Sequence, residues 1–161
     1  MTQFFDGHND MLVRLWSEDD TQGTAFLDSD GSGHIDHARM RAANFIGGFF
    51  AIFIPADKKN MLAKKPIDQK AALASCLEMI DLFDALSTAI APCRQANDVA
   101  KGTMKATGAS DIVGVLHIEG AEMIGEELEE LDLLYQRGIR SIGPLWSRSN
   151  IFGHGVPFSF P

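Results

Sequence analysis

Two stretches decide what this chain can fold into: Asn44 to Pro55 (NFIGGFFAIFIP) and Asp111 to Ile118 (DIVGVLHI). Each is apolar almost without a break instead of alternating apolar with polar. A strand of that kind is buried on both faces, as happens in a parallel sheet covered by helices. A third, shorter candidate is Ile139 to Trp146 (IRSIGPLW), and a fourth opens the chain at Gln3-Phe4-Phe5. Helical patterns lie between them. Pro66 suits a first helical position, and Leu73, Cys76, Leu77, Ile80, Phe83 and Leu86 follow as an amphipathic stripe, which predicts a helix over about 66–89. Acids at 126, 127, 129 and 130, the stripe Leu128, Leu131, Leu134 and Tyr135, and a closing Gly138 predict another over about 122–137. A weaker one is expected from Asn97 to about Thr107. Strands alternating with helices give an α/β class with right-handed crossovers. The segment at about 17–36, rich in Asp, Gly and Ser, fits neither element and reads as a polar insertion.

A length of 161 residues predicts a single domain over 1–161. Fourteen Lys and Arg against 22 Asp and Glu give a net charge of −8, the wrong sign for nucleic acid or an anionic lipid surface. The longest apolar run, Phe45 to Pro55, is about half of the ~20 residues a spanning helix needs, so no membrane span is expected. The N-terminus has neither a positive n-region nor a long apolar stretch, and no signal peptide is expected there. Cys76 and Cys93 stand in no CxxC spacing and read as free thiols, which points to a cytoplasmic protein.

Three constellations could carry chemistry. Asp6-Gly7-His8-Asn9-Asp10 follows the opening strand, and in extended backbone residues i and i+2 share a face, so His8 and Asp10 would point together. Imidazole and carboxylate make a workable half of a zinc or manganese site. The plainer alternative is a polar turn in which Asp10 caps a helix. Glu119 ends the strand at 111–118, where ligands bind in α/β folds; it could equally cap the next helix. His117 shares its face, either as a further ligand or as a hydrogen-bonded core residue. The loop Trp146-Ser147-Arg148-Ser149-Asn150, continuing past His154, offers substrate contacts or is an ordinary surface loop. Residues Asp28, Asp30, Ser32, Gly33, Ile35 and Asp36 match an EF-hand loop at six positions, but Arg39 stands where the bidentate Glu belongs, so a polar loop without calcium is expected. P-loop, G-x-G-x-x-G, G-x-S-x-G and H-E-x-x-H patterns are absent from the sequence.

Taken in order, DGHND at 6–10, HIDHARMRAANFIGGFFAIFIP at 34–55, IEG at 118–120 and LDLLYQRGIRSIGPLWSRSN at 131–150 resemble the membrane (renal-type) dipeptidases and their bacterial relatives, peptidase family M19. The resemblance implies a parallel (β/α)8 TIM-type barrel with a binuclear zinc centre. It implies that His8 and Asp10 hold one metal and that Glu119 bridges both as the key catalytic carboxylate. The family's two further metal-binding histidines and its acidic residue on the last strand come later than this chain extends. Trp146 stands about where a substrate-contacting histidine is expected, with His154 nearby. The implied reaction is hydrolysis of dipeptides by a hydroxide bridging two zinc ions, with tolerance for a D-residue at the C-terminal position. A TIM barrel takes ~250 residues, so this chain would supply about the first four βα units. Alone it is expected to be inactive, and it would need the C-terminal half or self-association. The alternative is a non-catalytic α/β half-barrel that pairs with a partner chain.

Overall fold

A computed structural model describes residues 2–56, 66–95 and 112–156. The expected helix over 97–107 lies outside them. In chain order the elements are β1 (Phe4–Asn9), α1 (Met11–Ser17), α2 (Thr24–Leu27), α3 (His37–Ala42), β2 (Phe45–Ile52), α4 (Gln69–Ala85), β3 (Ile90–Pro92), β4 (Ile112–Glu119), α5 (Glu130–Gln136) and β5 (Ile139–Gly143). All strand pairings are parallel. The order is β1-β2-β4-β3, with β5 also on β4. β2 pairs with β4 from Gly47↔Val113 to Ile52↔Ile118, so β3 and β5 share the opposite edge of β4, at residues 112–114 and 116–119 respectively.

The two apolar runs behave as their composition demands. On β4, Ile112, Leu116 and Ile118 face the main core, built with α1 and α4. Val113 and Val115 face a smaller cluster with Cys93 and Phe49. Alternation along the strand then carries His117 and Glu119 onto that second, inward face. Gly47 permits the close pairing here, since a β-carbon on it would stand 2.4 Å from the Val113 carbonyl oxygen.

Four expectations need correction. The helix expected over 66–89 begins at Gln69, because Asp68 and not Pro66 is its cap: the Asp68 carboxylate accepts from the Ala71 amide at 3.0 Å. The helix expected over 122–137 is confined to Glu130–Gln136. Leu128 takes a left-handed φ of 58°, which ends any helix there, and the Glu130 carboxylate accepts from the Gly125 amide and Gln69 Nε2 instead of serving a helix start. β1 runs to Asn9, well past Phe5, with a register shift between Asp6 and Asn9. The polar insertion contains α2 and leads into α3, whose N-cap Asp36 accepts from the Arg39 amide at 2.8 Å.

Candidate metal centre

Because the strands are parallel, their carboxyl ends lie along one edge of the sheet. His8 is the penultimate residue of β1, Asp10 follows that strand directly, and Glu119 ends β4. Their side chains converge. His8 Nε2 is 3.2 Å from Asp10 Oδ1 and 3.6 Å from Glu119 Oε2, and one ligand atom from each residue lies within 4.8 Å of the other two. Among the described residues this is the one group of three or more His, Cys, Asp or Glu side chains so placed. The strands carrying them are not neighbours, since β2 runs between β1 and β4.

The competing readings of these residues do not hold. Asp10 stands at the N-cap position of α1 but its side chain makes no cap hydrogen bond. Glu119 caps no helix, since the next one starts at Glu130. His117 does not join the group: its Nδ1 is 2.8 Å from Ser141 Oγ, and its ring stands 6.2 Å from that of His8.

Burial pushes the Glu119 carboxyl above its usual range; His8 pulls it back, and the Asp10 carboxylate raises it again. His117 is held below its usual range by burial and then by His8. Two carboxylates and an imidazole drawn together, with His8 and Asp10 exposed and Glu119 partly buried, are a donor set that a divalent cation satisfies.

Sequence reasoning missed the residues that brace the group. Asn9 Nδ2 donates to the Phe49 carbonyl at 3.1 Å and to Asp6 Oδ2 at 3.0 Å, tying the end of β1 to β2. Asp6 Oδ1 also accepts from the His8 amide at 3.2 Å. The DGHND stretch contained both, and its register bulge is what turns Asn9 toward β2. A cavity of about 580 Å³ opens beside the group, lined by Asp6, His8, Asp10, Arg14 and His34 among others.

The two candidate substrate contacts are placed elsewhere. Trp146 packs edge-on against Phe53 with ring centroids 4.4 Å apart. His154 is exposed, with Nδ1 3.0 Å from Ser149 Oγ. Neither belongs to the converging group.

Among the described residues no helix is long and apolar enough to cross a membrane. The family model for membrane dipeptidase, peptidase family M19, matches residues 1–157. An uncharacterized protein of the PQQ-III 3′ region of Acinetobacter calcoaceticus is 39% identical over 98% of this chain and 53% of its own length. A second, from the pqqA 5′ region of Klebsiella pneumoniae, is 51% identical over 29% of this chain and 17% of its own length. Among solved structures, a metallopeptidase of family M19 described as dipeptidase AC superposes with a TM-score of 0.78 at 40% identity, over 98% of this chain and 46% of that one. A metallopeptidase from Rhodobacter sphaeroides, liganded with a phosphinate mimic of the dipeptide L-Ala-D-Ala, gives 0.77 at 39% identity, over 98% and 49%. The fold is therefore α/β, of the TIM-barrel type, with this chain spanning about half the length of the Acinetobacter protein and of both solved structures. Family match, matching fold and near-complete coverage agree, and the chain belongs to the membrane dipeptidase family, peptidase family M19.

Proposed function

We propose that this chain is one half of a zinc-dependent dipeptidase, in which His8 and Asp10 hold one metal ion and Glu119 is shared between two. The observation that carries the reading is the meeting of three ligand atoms within 4.8 Å at the carboxyl ends of β1 and β4. The donor chemistry fits: a neutral imidazole and two carboxylates suit zinc, and a cation relieves the mutual repulsion that helps to hold the Glu119 carboxyl high. When bound, zinc supplies Lewis-acid activation of water and charge stabilisation for the oxyanion of amide hydrolysis.

The residues of this chain would bind and orient. His8 Nε2 faces both carboxylates, so its neutral form offers a lone pair toward the same point. Asp10 and Glu119 supply the negative charge, and with two oxygens Glu119 can serve two ions. Asn9, bonded to the β2 backbone, keeps His8 and Asp10 from splaying away from Glu119. The remaining ligands of the second ion would come from the other half of the barrel. Dipeptides, including those ending in a D-residue, are the proposed substrates, in keeping with the phosphinate mimic of L-Ala-D-Ala held by the Rhodobacter relative. A phosphinate has the tetrahedral shape of a peptide carbonyl under attack.

The test assays this chain alone, and joined to the C-terminal half of the Acinetobacter relative, against a dipeptide panel with and without zinc. Turnover is expected from the joined protein only, to depend on zinc, and to be lost in Glu119→Gln. Turnover by the short chain that survives Glu119→Gln would sink the reading.

A second reading, a non-catalytic half-barrel paired with another chain, draws on the exposed apolar side chains Phe4 and Phe5 on β1, Tyr135 on α5 and Ile142 on β5. It predicts a stable complex and no zinc-dependent activity in the joined protein.

A further inference from the structure

Beyond the metal group, the carboxyl ends of three strands are tied together by one buried ion pair. After Glu119 the chain turns at Gly120, whose φ is +88°. Its amide donates to the Gly143 carbonyl at 2.8 Å, and the Ala121 amide donates to the Pro144 carbonyl at 3.1 Å. Glu122 folds back beneath this turn, so closely that a β-carbon on Gly120 would stand 2.7 Å from its Oε2. Glu122 Oε1 lies 3.2 Å from Nη2 of Arg148, and the two side chains are only 5% and 3% exposed. The same Arg148 nitrogen donates to the carbonyl of Ile54, just past β2, and the guanidinium carbon sits 5.4 Å from the Phe53 ring centroid.

Stability does not account for this pair. Two buried charges are often replaced by apolar side chains without loss. Here the pair is also incompletely satisfied, with Arg148 Nε and Nη1 and Glu122 Oε2 lacking hydrogen-bond partners among the described residues. A buried pair that adds little strength can still be kept for the arrangement it fixes. What it specifies is the turn that leaves Glu119, three residues upstream of Glu122.

We propose that Glu122 and Arg148 are positioning residues for Glu119: their ion pair, anchored on the Ile54 carbonyl, holds the Gly120 turn so that the Glu119 carboxylate is aimed at His8 and Asp10. The proposal rests on the metal-site reading for its consequence and on the turn itself for its mechanism, and the experiment separates the two.

The full chain is compared with Glu122→Gln, which keeps shape but removes the charge, and with the double variant Glu122→Met/Arg148→Met, which replaces the pair by apolar side chains. Amide hydrogen exchange is read residue by residue, and Co²⁺ binding by its visible absorption. In the double variant the Gly120 and Ala121 amides are expected to exchange at least ~10-fold faster, while those of Ile112 to Leu116 keep their protection. The Co²⁺ affinity should fall about 10- to 100-fold, the range for residues that orient metal ligands. Should the double variant not fold, Glu122→Gln is expected to show the same pattern in smaller degree. Unchanged exchange at Gly120 and Ala121, a rise spread along all of β4, or a local rise with wild-type Co²⁺ affinity would each overturn the proposal. If the unaltered chain binds no Co²⁺, the metal-site reading falls, and exchange at the turn alone decides whether the pair holds it.

Discussion

His8 Nε2 lies 3.6 Å from Glu119 Oε2 although a whole strand, β2, separates their backbones. Two side chains can meet across a strand only if that strand carries something small on the shared face at that level. Ala51 fills this role. It is fully buried, its register partner is His117, and it alternates with Phe50 and Ile52, which face the main core with α1 and α4.

From that relationship, Ala51→Leu is expected to weaken Co²⁺ or Zn²⁺ binding by roughly tenfold or more, although Ala51 is no ligand. The added branch would stand between side chains that must touch, and displaced ligand-orienting groups typically cost 10- to 100-fold. Overpacking would also lower stability by about 1–3 kcal/mol. Calorimetric titration of the folded variant checks this, with Ala51→Gly as the control expected to keep the affinity. Equal affinities in Ala51→Leu and the unaltered chain would show that the size of residue 51 does not govern the meeting of His8 and Glu119.

Residues 28–39 are expected to bind no calcium. Arg39, at the position of the bidentate acid, directs its Nη1 to the Gly33 carbonyl at 2.5 Å and its Nε to Asp36 Oδ2 at 3.2 Å. Asp36 is further engaged as the cap of α3, and Asp30 Oδ1 accepts from both the amide and hydroxyl of Ser32, at 2.8 and 2.7 Å. The Asp30 and Asp36 carboxylates that calcium would need already serve the loop's own donors, and the Arg39 cation sits among them. Titration at millimolar calcium should give no saturable heat. A saturable signal abolished by Asp28→Ala would contradict this.

What was legible in the sequence follows from what leaves a period. The doubly buried strands β2 and β4 showed as apolar runs, and His8, Asp10 and Glu119 showed through their places at strand ends. α1 did not, because Met11, Leu12, Val13, Leu15 and Trp16 are all buried, and Arg14 and Ser17 alone in seven residues are too few to show as a polar stripe. β3 is three residues long, Ile90-Ala91-Pro92, too short for any pattern. The acids at 126–130 imitated a helix start because composition does not reveal that Leu128 turns left-handed. Arg148 was read as part of a polar loop, since nothing local distinguishes an exposed arginine from one drawn inside by a carboxylate 26 residues away on another strand end.

Asp20 ties the stability of α2 to pH. Its carboxylate lies across the start of α2, with Oδ1 accepting from the Thr24 amide at 2.9 Å and Oδ2 from the Ala25 amide at 2.8 Å. Partial burial pushes the carboxyl up, but the amides of Ala25, Thr24, Gln22 and Gly23 together pull it down further, so it ends below its ordinary 3.8. A group with a lowered folded-state pKa binds its proton more weakly in the folded than in the unfolded chain. Its contribution is therefore complete above the unfolded value, near 3.8, and is lost as the pH falls through the lower folded value. Gly23 stands at the N-cap of α2, so Asp20 supplies from three residues upstream the amide bonds an N-cap side chain would make, whose loss costs about 1 kcal/mol. Asp20→Ala should accordingly lower the urea midpoint by a constant amount between about pH 5 and pH 7, and the gap from the unaltered chain should narrow progressively below about pH 4. A gap that stays constant down to about pH 3, or widens there, would show that the carboxylate does not hold α2 through its charge.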